Sequence, residues 1–433
     1  MNDLDENTPG YDELASSSAN DGAGWEPIGN HQYNFKGSFD GDGFTIYDLY
    51  INRPDEEYIG LFGYGYSAEI VNINMNSVNI TGQKYVAGII GDNHSGTVDN
   101  CNVTGSINGT SLIGGIVGYN SDSIIRNSLY TGQITGVEGE ENISSIGGIT
   151  GHNDQGELNS NSTNVSISVD GFCTDIGGIG GYNYGSITNC NSEGTMTIST
   201  TRGYKFGGLV GMNQAKTITN SYSTVDVTVT NSTSTEGMVG GLVGHNNDGT
   251  INNSYSNGTI KGTYRVGGLI GYNNGYVYTS YSASEIIGLG DNQSFLGGLL
   301  GQNQYGTVEN CYSTGDITGD SSIGGLVGYN GDRSSIKSSY SIGIPSGSSS
   351  LGGLVGINYG DITDSMSLES SSYGNVNGGD LFGRVTEAPQ DVMQKDDIYT
   401  EETLAGYDDM NAIWDSSIWN FGTDSDYPKL NWQ

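Results

Sequence analysis

Ten times between residues 88 and 358 the chain returns to one short pattern, glycine, an aliphatic residue, a variable residue, glycine, a variable residue and asparagine. Gly325-Leu326-Val327-Gly328-Tyr329-Asn330 shows it plainly; Gly88 opens the first full copy and Gly353 the last. The leading glycines fall at 88, 115, 148, 178, 208, 241, 268, 298, 325 and 353, in steps of 27 to 33 residues. A near-constant period of that size marks a repeat architecture. A chain of 433 residues could hold two or three ordinary domains. The repeat argues instead for one elongated body in which each unit packs on its neighbours.

Each unit offers three short apolar pieces. Around Gly325 they are Ile323 with Gly325-Leu326-Val327, then Ser335–Tyr340; the third is clearest one unit earlier, as Asp316-Ile317-Thr318 between two glycines. Pieces of this length, punctuated by glycine, are too short for helices and suit strands. Aliphatic residues hold equivalent places from unit to unit. One column reads Val98, Ile125, Leu158, Ile187, Ile218, Ile251, Val277, Val308, Ile336 and Ile362; another reads Ile107, Ile134, Met196, Val227, Ile260, Ile286 and Ile317. Coils stacked about 4.8 Å apart would turn each column into a continuous ridge of core. The hydrophobic fraction is only 34% and Gly numbers 72, which alone would suggest disorder, but a disordered chain has no need of such columns.

The fold expected is therefore all-β: a right-handed parallel β-solenoid of about twelve coils, three short strands per coil, with aromatic-rich terminal caps. The boundaries read as a disordered N-terminus over 1–10, an N-terminal cap and first strands over 11–62, repeats over 63–383 and a C-terminal cap over 384–433. Thr400–Leu404 can start a short helix in the last segment. All four tryptophans, Trp25, Trp414, Trp419 and Trp432, fall in the caps, where exposed core and strand edges need cover. The apolar residue before the motif glycines (Ile113, Ile146, Ile323 and their equivalents) lies three positions from the Leu326-type column. Strict alternation would put the two on opposite faces. Either the Gly pair bends the strand so that both face inward, or one column is exposed and packs laterally.

Two polar or aromatic columns stand out as candidate sites. Asn93, Asn120, Asn153, Asn183, Asn213, Asn246, Asn273, Asn303, Asn330 and Asn358 occupy one place in ten units. Stacked amides can bond along the axis as a structural ladder; an ordinary turn residue is the alternative. Tyr222, Tyr255, Tyr281, Tyr312 and Tyr340 recur in five successive units, and the motif turn adds Tyr119, Tyr182, Tyr272 and Tyr329. Such stripes can bind sugars or peptides, or stack on one another within the molecule.

The motif resembles the GLUG repeat family, whose hallmark is a Gly-Leu-x-Gly core. Gly24–Gly29 with Phe39–Phe44 looks like the usual opening of such domains, and Tyr427–Trp432 like the usual close. The resemblance covers nearly the whole chain. It implies a β-solenoid scaffold or adhesive module of bacterial and archaeal surface proteins, and it brings no catalytic motif with it.

Charge and scattered side chains narrow the chemistry. With 49 acids against 14 bases the formal charge is −35, so nucleic acid is not an expected partner. Weak attraction of Ca2+ or other cations to the acidic surface is expected. No apolar run is long enough to span a bilayer. No signal peptide is present in this numbering. Cys101, Cys190 and Cys311 share a column with serines three or four coils apart, too far for a disulfide; they read as small inward residues, and Cys173 could reach Cys190 only by a favourable loop path. His31, His94, His152 and His245 form no metal set. Asp40-Gly41-Asp42-Gly43 lacks the later ligands of a calcium loop and reads as a turn. The acids and bases are dispersed over different columns, so no catalytic residue, cofactor or metal is assigned.

The function expected is that of an extracellular, non-catalytic structural or adhesive surface protein, an adhesin-like rigid repeat rod making many weak contacts with other copies of itself, surface proteins or glycans. A self-assembling cell-envelope or filament subunit is the alternative, and a polysaccharide-active β-helix enzyme a third.

Overall fold

The computed structural model describes residues 3–139, 142–230, 236–290, 294–368, 374–376, 385–388, 414–415, 417–420 and 427–433. The chain divides into two units, Met1–Ser234 and Thr235–Gln433. Both are parallel β-solenoids.

In the first unit a representative turn runs through strands Ser111–Gly114, Val117–Ser121, Ile124–Arg126 and Leu129–Gly136. Each pairs in parallel with the same piece of the next turn: Ile113 with Ile146, Asn120 with Asn153, Ile125 with Leu158 and Ile134 with Ile167. Among the described residues six motif strands make six such turns in this unit, and five make the second, about eleven against the twelve or so expected. In the second unit the last leg is cut in two, so one turn reads Met238–Gly240, Val243–Asn247, Thr250–Asn252, Tyr255–Ser256 and Thr259–Gly262. The three pieces per coil read from the sequence are thus subdivided by bends.

The aliphatic columns are the core. Val98, Ile125, Ile187, Ile218, Ile251, Val308 and Ile362 are each 0% exposed. The Gly pair answers the question of the two opposed columns. Ile113 and Ile116 are both fully buried, and so is Val117. The strand Ser111–Gly114 ends and the next begins at Val117, with Gly115 and Ile116 forming the bend between them. These glycines do not adopt positive φ. They are needed because backbone passes too close: a Cβ on Gly115 would collide with the Gly148 carbonyl and the Tyr130 ring.

The corners are made by other residues. Asn72, Asn100, Asn127, Ser160, Asn189 and Asn220 in the first unit, and Asn253, Thr279, Asn310, Ser338 and Asp364 in the second, all have φ between +43° and +57°. This left-handed conformation is favoured by Asn and Asp. A second corner uses larger side chains in the same region, among them Tyr85, Leu112, Arg265 and Phe295.

The N-terminal segment covers the first turn. Residues 1–10 were expected to be disordered, but Leu4 donates to Thr45 O at 2.9 Å and accepts from the Tyr47 amide at 2.9 Å. Leu4 thereby supplies backbone partners to the otherwise open strand Thr45–Tyr47. Ile28 and Phe35 bridge in parallel to Phe62 and Gly65, and the Trp25 indole donates to Leu61 O at 3.1 Å. The helix expected over Thr400–Leu404 lies outside the described residues.

Candidate functional site

The asparagine column is a buried amide ladder in each unit. In the first, Asn93, Asn120, Asn153 and Asn183 each donate from Nδ2 to Oδ1 of the next, ending on Asn213, at 3.2, 2.9, 2.8 and 2.8 Å. In the second, the run from Asn246 through Asn273, Asn303 and Asn330 to Asn358 has distances of 2.8, 2.8, 3.0 and 2.7 Å. All ten side chains are 0% exposed. The second amide hydrogen closes the residue's own turn, as from Asn153 to Gly156 O at 3.2 Å and Asn303 to Gly306 O at 3.1 Å. One side-chain type therefore satisfies a carbonyl in its own coil and an oxygen in the next, which a buried amide must do to avoid a penalty of about 1–3 kcal/mol. The ladder begins abruptly. Gly65 holds the position before Asn93, so the buried Asn93 Oδ1 lacks a donor.

A second polar column supports the corners. Ser128, Ser254, Ser280 and Ser339 donate to the carbonyl two residues back at 2.7 to 2.9 Å. Cys101, Cys190 and Cys311 take the same place and point Sγ at the same carbonyl, at 3.5, 3.4 and 3.3 Å. All four cysteines are buried and unpaired. Burial pushes the Cys101, Cys173 and Cys311 thiols up to about 12 and Cys190 to about 11.

The tyrosine column behaves differently from an open binding stripe. Tyr255, Tyr281, Tyr312 and Tyr340 stack with centroids 4.9, 4.9 and 5.0 Å apart and planes within 5° of parallel. The C-terminal segment lies over them. Trp432 packs on Tyr255 and Tyr281, Trp419 on Tyr312 and Tyr340, and Trp414 on Tyr340. Every indole N–H is used: Trp432 donates to Thr279 O at 2.9 Å, Trp419 to Asn310 Oδ1 at 3.3 Å and Trp414 to Asp364 O at 3.0 Å. The Tyr340 hydroxyl donates to Pro428 O at 2.5 Å, and Gln433 Nε2 donates to the Tyr312 hydroxyl at 2.6 Å. Tyr312 and Tyr340 keep only 5% and 1% of their surface, so these rungs are core rather than an available surface. Tyr222, the fifth residue of the column, belongs to the first unit and is half-buried. The described part of the C-terminal cap thus covers a flank, because stacked rings leave an apolar strip there that water would otherwise wet.

A further aromatic column runs along the motif turn of the first unit, where histidines interleave with the tyrosines. Tyr64, His94, Tyr119, His152 and Tyr182 succeed one another with centroids 5.2, 5.8, 5.1 and 4.6 Å apart. These rings are half-buried, and successive planes lie at 23°, 44°, 45° and 23° to one another. Carboxylates line them. Asp92 Oδ1 lies 2.9 Å from His94 Nε2, and the Tyr119 hydroxyl donates to Asp154 Oδ2 at 3.0 Å. Burial raises the Asp92 carboxyl, while its contact with His94 pulls the other way; the same contact raises His94. Burial lowers His152. Read singly the histidines are turn residues; in the repeat register they fall in or beside the Tyr119 column, and that was the available signal. In the second unit the Arg265 guanidinium sits over Tyr264 and Tyr272, 4.6 and 5.2 Å from their centroids.

Among the described residues no three His, Cys, Asp or Glu side chains gather into a metal site. Asp40 Oδ1 accepts from the Asp42 amide and from Asn72 Nδ2, at 2.8 and 3.0 Å, as in a turn.

Stacked in-register turns with a polar ladder inside define a repeat protein of the β-solenoid class. The GLUG motif model matches residues 173–199, 235–261 and 296–318, so the chain carries GLUG repeats. Residue similarity extends to a protein of Evansella cellulosilytica named as a Gly-rich membrane protein, 36% identical over 85 residues, 19% of this chain and 10% of that relative. Halomucin of Haloquadratum walsbyi is 39% identical over 95 residues, 21% of this chain and 1% of halomucin. The chain therefore spans a small part of either relative. No solved structure matches it.

Proposed function

We propose that this protein is an extracellular, non-catalytic structural or adhesive component of a microbial cell surface. One observation carries the reading. Stacking consumes the apolar side of every turn, while the outward positions repeat similar polar and aromatic groups rung after rung. Such a surface suits many weak simultaneous contacts, whose combined strength far exceeds that of any one. The names of the two relatives, a Gly-rich membrane protein and halomucin, support a surface setting. The excess of 49 acids over 14 bases supports a well-solvated exterior.

Antibody labelling of intact cells, compared with lysed cells, tests the location. Equal labelling before and after lysis is expected; signal only after lysis would reject the reading. Incubation with a panel of polysaccharides tests the non-catalytic part, and release of soluble product would overturn it.

A further inference from the structure

We infer that the half-buried aromatic edge of the first unit docks a basic polypeptide segment, taking Lys or Arg side chains against the Tyr119 and His152 rungs beside Asp122 and Asp154. The chain's own cations show that rings on this edge accept positive charge. Lys36 lies over Tyr66 at 5.7 Å, Lys84 over Tyr85 at 5.3 Å and Lys216 over Tyr184 at 4.9 Å. In the second unit Arg265 does the same across two rings of the corresponding turn. Placing a cation over an aromatic face is favourable, more so where water is partly excluded.

The middle of the strip differs in that neighbouring rings, and no cation of the chain's own, lie against it. Among the described residues no ring–cation pair involves Tyr119 or His152. Carboxylates flank that stretch: Asp154 accepts from the Tyr119 hydroxyl at 3.0 Å, the buried Asp92 pairs with His94 at 2.9 Å, and Asp122 and Asp154 add to the negative charge around His94. Asp122 is exposed, and Asp154 half-buried. The tyrosine column of the second unit is the contrast, since an indole-rich segment already occupies it. The inference does not depend on the surface reading, and its failure would leave that reading untouched.

The test is binding of a labelled oligo-arginine peptide to the full chain at low and at physiological salt, with a neutral glucan in parallel. Affinity for the peptide, weakened by salt, is expected, with no comparable glucan binding. Tyr119→Leu keeps the charge and removes a ring; about tenfold weaker binding is expected. Asp122→Asn is exposed and should fold normally, so it keeps the test decisive if the first variant is unstable; a several-fold loss is expected. Glu13→Gln, remote on the surface, should change nothing. Equal losses from Glu13→Gln and Asp122→Asn, or full affinity in Tyr119→Leu, would mean diffuse charge attraction and overturn the proposal. Glucan binding without peptide binding would also overturn it.

Discussion

Two aromatic columns arise from the same repeat and end in opposite states. In the second unit Tyr255 to Tyr340 lie within 5° of parallel and are roofed by Trp414, Trp419 and Trp432. In the first unit the column from Tyr64 to Tyr182 tilts, mixes in two histidines, and faces carboxylates and solvent. A period of about thirty residues decides that like side chains will stand one strand spacing apart. It does not decide whether the resulting stripe becomes core or surface. That depends on a distant segment able to cover it, and on whether neighbouring groups are apolar or charged.

The sharpest way to break this comparison is to remove a roof residue. Trp419 is 1% exposed, so Trp419→Ala should cost about 3–5 kcal/mol in denaturant unfolding of the full chain. Tyr182→Ala on the open column should cost well under half of that. Equal costs would show that the two columns are packed alike. A smaller effect separates the middle of the amide ladder from its start. Asn303→Ala strands partners in the turns on both sides and the Gly306 carbonyl, and should cost about 2–3 kcal/mol. Asn93→Ala, whose Oδ1 has no donor, should cost about 1 kcal/mol less. If Asn93 proves the more costly, the rungs are not carrying the ladder as described.

Acid should act on the open column with two signs. His94 is raised, so its contribution is fully present below the ordinary histidine value and fades as pH rises through the raised one. His152 is lowered, so its contribution is present above the ordinary value and is lost as pH falls through the depressed one. Asp92 is raised, so what it contributes is present below the ordinary carboxylate value and is lost as pH rises through the raised one. NMR titration should place His94 above His152, and His152→Gln should lose less stability than the parent between pH 7 and pH 5. The reverse order of titration would contradict the burial assigned to these rings. The smallest effect concerns the thiols. Cys311→Ser should shift stability by under about 1 kcal/mol, since serine fills that position in most turns. No thiol of the folded chain should be alkylated at pH 8, whereas all four should react after unfolding.

Much of the stack was legible because it depends on residue type at a fixed interval. The columns led by Val98 and Ile107, the Asn ladder and the Cys-for-Ser exchange all fall into register as spaced. The left-handed corners at Asn100, Asn127 and Asn189 also had a signal, since Asn tolerates that conformation. The corners at Leu112 and Phe295 had none; nothing about those side chains asks for positive φ, and the stack imposes it. The roof over Tyr255–Tyr340 was equally hidden. Its contacts join residues 50 to 153 positions apart, beyond the reach of a local period. The pairing of Leu4 was hidden for a related reason, because Leu4 sits among polar residues and is held by a strand 41 residues on.

The central claim is that successive turns lie flush, residue on equivalent residue. Oxidative cross-linking of exposed cysteine pairs tests it most directly. Thr131 and Asn164 are registered neighbours in adjacent turns, and Ser166 lies two residues further along the same strand. Rapid disulfide formation is expected in the Thr131→Cys, Asn164→Cys double variant, whose Cα atoms stand about 5 Å apart, and little in Thr131→Cys, Ser166→Cys, at about 8 Å. Preferential cross-linking of the second pair would show that the turns are slipped, and the columns, ladders and roof described above would not exist as drawn.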